Sequence, residues 1–189
     1  MVPDARLGGA VFELILGPTC SGKTTLIAAL GLSPVTFAYA LADGALPDRG
    51  ALHFALPMPP RPSRFWRRQQ DPTVFWPKLG AVIGSGQVTR ATVTLCPEQE
   101  LADRIGRRMV IGDGALADRR YDSAKNLRKL ARCDLALVYH DVFRALRRHR
   151  IETRLLLTSA ETPGYPKLPQ AMVPSVLAGV RPSQFGVAA

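Results

Sequence analysis

Gly17-Pro18-Thr19-Cys20-Ser21-Gly22-Lys23-Thr24 matches G-x-x-x-x-G-K-[ST], the spacing of a phosphate-binding loop. The apolar run Val11-Phe12-Glu13-Leu14-Ile15-Leu16 comes just before it, and the helix-compatible run Thr25-Leu26-Ile27-Ala28-Ala29-Leu30 just after. Strand, loop and helix in that order are the context the motif requires. Gly17 and Gly22 allow a tight turn that brings backbone N–H groups onto phosphate oxygens. The following helix points its positive end at the same anion. Lys23 is expected to reach the β- and γ-phosphates of a nucleotide, and Thr24 to place its hydroxyl on Mg²⁺. The expected nucleotide-binding set runs through Gly17, Pro18, Thr19, Cys20, Ser21, Gly22, Lys23, Thr24 and Thr25, with ATP and Mg²⁺ as cofactors and Thr24 as the metal ligand.

The chain around the loop has 189 residues, 47% of them hydrophobic, enough for one α/β domain with a full core. No apolar run reaches the roughly 18 residues of a membrane span, and the N-terminus lacks a basic-then-apolar signal. The expectation is a cytoplasmic protein with no membrane partner. Cys20, Cys96 and Cys133 lie far apart without metal spacing, which reads as reduced thiols rather than a disulfide frame or zinc site. A net charge of +10 and a pI of about 10.3 favour an anionic partner: nucleotide, polyphosphate or nucleic acid.

Outward from the loop, Gly31 is placed to cap the first helix and Ser33-Pro34 to turn the chain. Val35–Tyr39 reads as a second strand and Ala51–Leu56 as a strand or hairpin arm. Pro57–Pro62 excludes regular structure, because proline lacks the donor. Ser63-Arg64-Phe65-Trp66-Arg67-Arg68-Gln69-Gln70 interleaves rings with arginines, either as a phosphate or nucleic-acid contact or as a solvated helix start whose rings dock on the core. Asp71-Pro72 has the form of a helix start with Val74, Phe75, Leu79, Val82 and Ile83 on its buried side; the competing reading makes Gly80–Ile83 a core strand. Ala91–Leu95 is a strand, 98–109 a helix carrying Leu101, Ile105 and Met109, and about 115–132 a second helix. Asp134–Tyr139 reads as a buried strand ended by His140-Asp141, then a basic helix to Arg150 and a strand over Thr153–Thr158. The alternation, with the loop, predicts a three-layer α/β fold of the P-loop nucleotide-binding kind with a mainly parallel sheet, spanning 1–165, with 57–90 as an insert region. Residues 166–189, rich in Pro and Gly, are expected to form a tail.

Beyond the loop, Thr92-Val93-Thr94-Leu95-Cys96-Pro97-Glu98-Gln99-Glu100-Leu101-Ala102-Asp103-Arg104-Ile105-Gly106-Arg107-Arg108 resembles the strand and helix leading into the lid of guanylate-kinase-like enzymes. Arg119–Ala124 falls where that family resumes after the lid, and Cys133–Leu146 resembles its closing strand and helix. Gly50–Leu56 resembles the hairpin arm of its acceptor subdomain, and the size is that of the ribose 1,5-bisphosphate phosphokinase branch. The resemblance implies a kinase that moves the γ-phosphoryl of ATP to a small phosphorylated acceptor, a sugar phosphate or nucleotide. Two stretches depart from the family. Phe37–Ala42 has none of the arginines that hold GMP, and Gly84-Ser85-Gly86 stands where an acid would follow Val82-Ile83 to direct the metal.

Phosphoryl transfer needs positioning and charge neutralisation, and the chain offers residues for both. Lys23 is the first catalytic candidate. Arg104, Arg107 and Arg120 are lid candidates whose guanidinium forks fit phosphate oxygens, and Arg108 and Arg119 match them by spacing. Asp43 is placed to orient an acceptor hydroxyl, or to form a turn beside Gly44. Asp141, at the end of the expected strand, would lie near the nucleotide base or cap the next helix. Rival classes share the loop. Adenylate isopentenyltransferases carry a similar G-P-T-C-[ST]-G-K-T-T and use an acid near the spacing of Lys23 to Asp43. A nucleic-acid-dependent ATPase would use Val138-Tyr139-His140-Asp141 as its metal-directing strand end, and a degenerate kinase fold would bind nucleotide without turnover.

Overall fold

Alternation along the first strand sets the layers. In β1 (Val11–Gly17), Phe12, Leu14 and Leu16 face one way while Glu13 and Ile15 face the other. The computed structural model describes residues 11–35, 49–60, 77–84, 88–110, 122–162 and 164–180. It pairs β1 with β3 (Arg49–Ala55) on one side and with β4 (Arg90–Leu95) on the other. The two-residue β2 (Pro34–Val35) adds outside β3, and β5 (Glu152–Leu157) outside β4. The sheet order is β2-β3-β1-β4-β5, and each of these pairs is parallel. Ile15 stands opposite His53 on β3 and Thr92 on β4.

Parallel neighbours require helical crossovers, which cover both faces. Ile15, Ala51 and Leu156 pack with Leu26 and Ile27 of α1 (Lys23–Ala29). Leu14, Leu16, Leu52, Val93 and Leu155 belong to the larger core. That core is shared with α2 (Pro77–Gly84), α3 (Glu98–Val110), α4 (Ser123–Arg132) and α5 (Leu135–Arg148). The protein is therefore an α/β fold built on an all-parallel sheet. α1 closes as expected on Gly31: its φ of +62° lets its N–H reach Ala28 O, while Leu32 N–H reaches Ile27 O.

Several expectations are corrected. The run Asp134–Tyr139 is not a strand: it is the cap and first turns of α5. The Asp134 carboxylate accepts the Leu137 N–H at 3.1 Å, and Leu135, Val138, Tyr139, Val142 and Leu146 recur at helical spacing on the buried side. Residues 49–55 are not a hairpin arm but an inner strand, flanked in parallel by β2 and β1. Gly80–Ile83 lies within α2, where Leu79, Val82 and Ile83 are buried, so the core-strand alternative falls. The expected N-cap at Asp71, and most of the strand 35–39, lie outside the described residues, as does the start of the helix expected over about 115–132. That helix is described from Ser123, with Asp122 accepting the Lys125 N–H at 2.7 Å. The C-terminal segment is no tail as far as it is described. Leu168, Met172, Val173, Val176 and Leu177, on a 3₁₀ turn (Gln170–Met172) and α6 (Val173–Leu177), are buried in the larger core.

Candidate functional site

β1 ends at Gly17, where the motif begins and where no side chain fits. A Cβ there would stand 1.9 Å from Thr94 Oγ1 and 2.5 Å from Ser21 Oγ. Thr94 Oγ1 donates to Leu16 O at 3.2 Å, so the 2.7 Å contact between the Ser21 and Thr94 hydroxyls takes its proton from Ser21. Thr158, just past β5, donates from Oγ1 to Ser21 O at 2.7 Å, and Tyr139 Oη of α5 donates to Thr94 O at 2.8 Å. The loop is thereby held from the carboxyl ends of β4 and β5. Cys20 and Gly22 have φ of +62° and +82°, left-handed positions of the kind that turn successive N–H groups toward one point. In an open parallel sheet that end is where ligands sit, and β1 is the strand at which the chain switches from building one side to building the other.

Lys23 opens α1 and is only 7% exposed. Its Nζ donates to Gly17 O at 2.9 Å and to Pro18 O at 2.6 Å. Burial lowers its ammonium pKa to about 8, with Cys20 opposing the shift and the Arg108 guanidinium adding to it. Thr24 and Thr25 are exposed on the first turn of α1. His53, on the neighbouring strand and on the same side of the sheet as Ile15, is held below its ordinary pKa by burial and by the Lys23 charge. Deeper on that side, the buried Glu13 accepts hydrogen bonds from Thr92 Oγ1 and Arg154 Nη2.

α3 brings arginines to the loop. Arg104 Nη2 donates to Glu100 Oε1 at 2.6 Å and to Thr158 O, while its Nη1 lies 3.4 Å from the place a Gly22 Cβ would take. Arg108 Nη1 is 3.9 Å from Cys20 Sγ. Burial alone would raise the Glu100 carboxyl. Hydrogen bonds from Ser159 Oγ and the Ala160 N–H, with the charge of Arg104, outweigh that and hold it below its ordinary value. Arg104 also walls a cavity of about 450 Å³ between α3, the chain just past β5 and the C-terminal turn. Glu100, Asp103, Arg107, Ser159 and Glu161 line it too.

The expected site is thus gathered in part. Gly17 through Thr25 run through the loop into the first turn of α1, and Arg104 and Arg108 come to the loop. Arg107 faces the cavity instead. Asp43, Arg119 and Arg120 lie outside the described residues. Asp141 is corrected: it sits inside α5, 3.3 Å from Arg144, and at no strand end. Val138–Asp141 consequently cannot serve as the metal-directing strand end of a motor. The acid sought after Ile83 has no strand to follow, and the strands that flank β1 end in Ala55-Leu56 and Leu95-Cys96. Cys96 is buried with its pKa pushed up to about 12, an inert thiol. Residues that sequence reasoning missed are Thr94, Thr158 and Glu100. Glu100 and Arg104 were visible as an i, i+4 pair, and Thr158 as a hydroxyl next to the last apolar residue of a strand. Neither the family models nor the curated proteins compared with this chain give a match.

Proposed function

We propose that the protein is an ATP-dependent phosphotransferase of P-loop type, with a small phosphorylated molecule as acceptor. The observation that carries this reading is Lys23: a buried ammonium beside the left-handed residues Cys20 and Gly22, held on the carbonyls of Gly17 and Pro18. The turn suits phosphate. Gly17 and Gly22 stand where a side chain would collide or strain, and Arg104 and Arg108 add positive charge at its edge. The cavity beside Arg104 gives the nucleoside end of the donor a place, with Arg107 on its wall. For Mg²⁺ the residues offer the Thr24 hydroxyl, with phosphate and water oxygens completing the shell, as this ion tolerates. Bound there, the ion would neutralise charge on the phosphates. Lys23 and the arginines would orient the triphosphate and balance charge that develops on its outermost group.

The absence of an acid at the ends of β3 and β4 favours a second reading, a nucleotide-binding fold that does not turn its ligand over. ADP formation with Mg²⁺, wild type beside Lys23→Ala, separates the two across ribose bisphosphate, nucleoside monophosphates, dimethylallyl diphosphate and DNA. The expected result is ADP with one small acceptor only, falling on the order of 100-fold in the variant. Diphosphate released with the prenyl substrate would make the protein a prenyltransferase, and nucleotide bound without product would establish the second reading.

A further inference from the structure

α4 carries a charge pattern that neither the fold nor the loop uses. Lys125, Arg128, Lys129 and Arg132 recur at i, i+3, i+4 and i+7, and all are exposed. They lie on the side opposite Leu127, packed against the core, and Leu130, buried in it. The helix holds no acid. Asp122, just before it, is engaged as the N-cap by the Lys125 N–H. No ion pair among the described residues includes any of these cations. Neighbours at such spacing are about 5–6 Å apart, inside the roughly 10 Å screening length at 0.1 M salt, so their fields add and they repel. The helix dipole rewards Lys129 and Arg132 in the last turn but opposes Lys125 in the first. A polyanion that matches the stripe would relieve this repulsion further than dissolved salt does.

We infer that the exposed face of α4 binds the phosphate backbone of duplex nucleic acid, independently of sequence. From Lys125 to Arg132 the stripe runs about 10 Å, over which a duplex presents about six phosphate charges. No aromatic residue lies on the stripe, so it lacks the stacking platform on which single-strand binding depends. Its apolar side faces the core, so it has nothing to insert into a bilayer. α4 packs on α3, whose Arg104 and Arg108 reach the loop, so the helix that carries the duplex face adjoins the helix that serves the candidate site.

Fluorescence anisotropy of a labelled duplex of about 20 base pairs, without nucleotide or Mg²⁺, tests this. Four phosphate contacts predict a slope of log K against log salt between about −3 and −4, and roughly 150-fold weaker binding at 200 mM than at 50 mM salt. Lys125→Ala and Arg128→Ala are each expected to reduce the slope by about one, and Lys125→Glu with Arg128→Glu to abolish binding. These are good helix formers at exposed positions, and circular dichroism checks that the fold persists. Duplex binding unchanged in the charge-reversed variant would overturn the inference. So would tighter binding of a single strand of equal length, or capture by phosphatidylserine vesicles in place of duplex. Lys23→Ala is expected to keep its duplex affinity while losing nucleotide, so this inference and the phosphotransferase reading fail separately.

Discussion

Lys23 is charged at a cost. Its pKa is 10.5 when solvated and about 8 in the fold, so below pH 8 the fold bears the burial of a cation, about 3 kcal/mol. Between those values the unfolded chain holds a proton that the folded chain has lost, and this contribution to stability rises with pH. Both carbonyls that Lys23 engages have other donors, the Leu56 N–H on Gly17 O and the Ser21 N–H on Pro18 O. Lys23→Met therefore leaves no orphaned acceptor. It is expected to be more stable than wild type at pH 7, by up to about 3 kcal/mol, with the gap closing by pH 10.5 in urea titrations. A gap that did not change with pH would place the lysine in solvent. If the loop binds a triphosphate as proposed, its affinity should also fall about tenfold per pH unit above pH 8, because the free protein then lacks the charge. Gly17 is the second decisive residue. Gly17→Ala puts a methyl 1.9 Å from Thr94 Oγ1 and is expected to lose about 2–3 kcal/mol, read as a lower denaturation midpoint. Adding Thr94→Ala should restore part of it. The motif letters made both positions legible. That the glycine is required by a threonine on another strand was not, since nothing local ties residue 17 to residue 94.

At the level of elements, α5 is the instructive one. Its apolar residues are dense enough, Leu135 through Tyr139, to read as a core strand, and periodicity over a short apolar run does not separate the two. The cap decides. Asp134→Ala removes the acceptor of the Leu137 N–H and is expected to cost about 1 kcal/mol, whereas Asp134→Asn should cost little; chemical denaturation reads both. Equal stability of the alanine variant would mean that no helix begins there. β3 shows the reverse case. Its apolar run was legible as a strand, but its position beside β1 comes from register, in which Ala51 and Leu52 stand against Glu13 and Leu14. Family resemblance pointed to a hairpin arm because it reads spacing and not neighbours.

For the whole molecule, the segment from Gly164 to Val180 turns a presumed tail into part of the core. Lys167 bridges to Leu156 on the edge strand, and Val176 is fully buried. Termination after Thr162 is expected to abolish the cooperative urea transition, and Val176→Ala to cost about 2 kcal/mol. Cooperative unfolding of the shortened chain would show the segment to be dispensable. The same segment forms one wall of the cavity beside Arg104, through Val176, Gly179 and Val180, so the site depends on residues far from the loop in sequence.

By itself the sequence determined the turn and its flanks. A glycine-rich spacing after a strand and before a helix is a local matter, settled by backbone freedom and by short-range periodicity. The same holds for β4, α3 and β5, whose patterns are unambiguous within a few residues. Tertiary structure alone decided which strands flank β1, that Asp134–Tyr139 coils, that the last described residues pack inward, and which arginines of α3 reach the loop. Those outcomes follow from burial against partners distant along the chain, and a local pattern carries no record of what will lie on its other side.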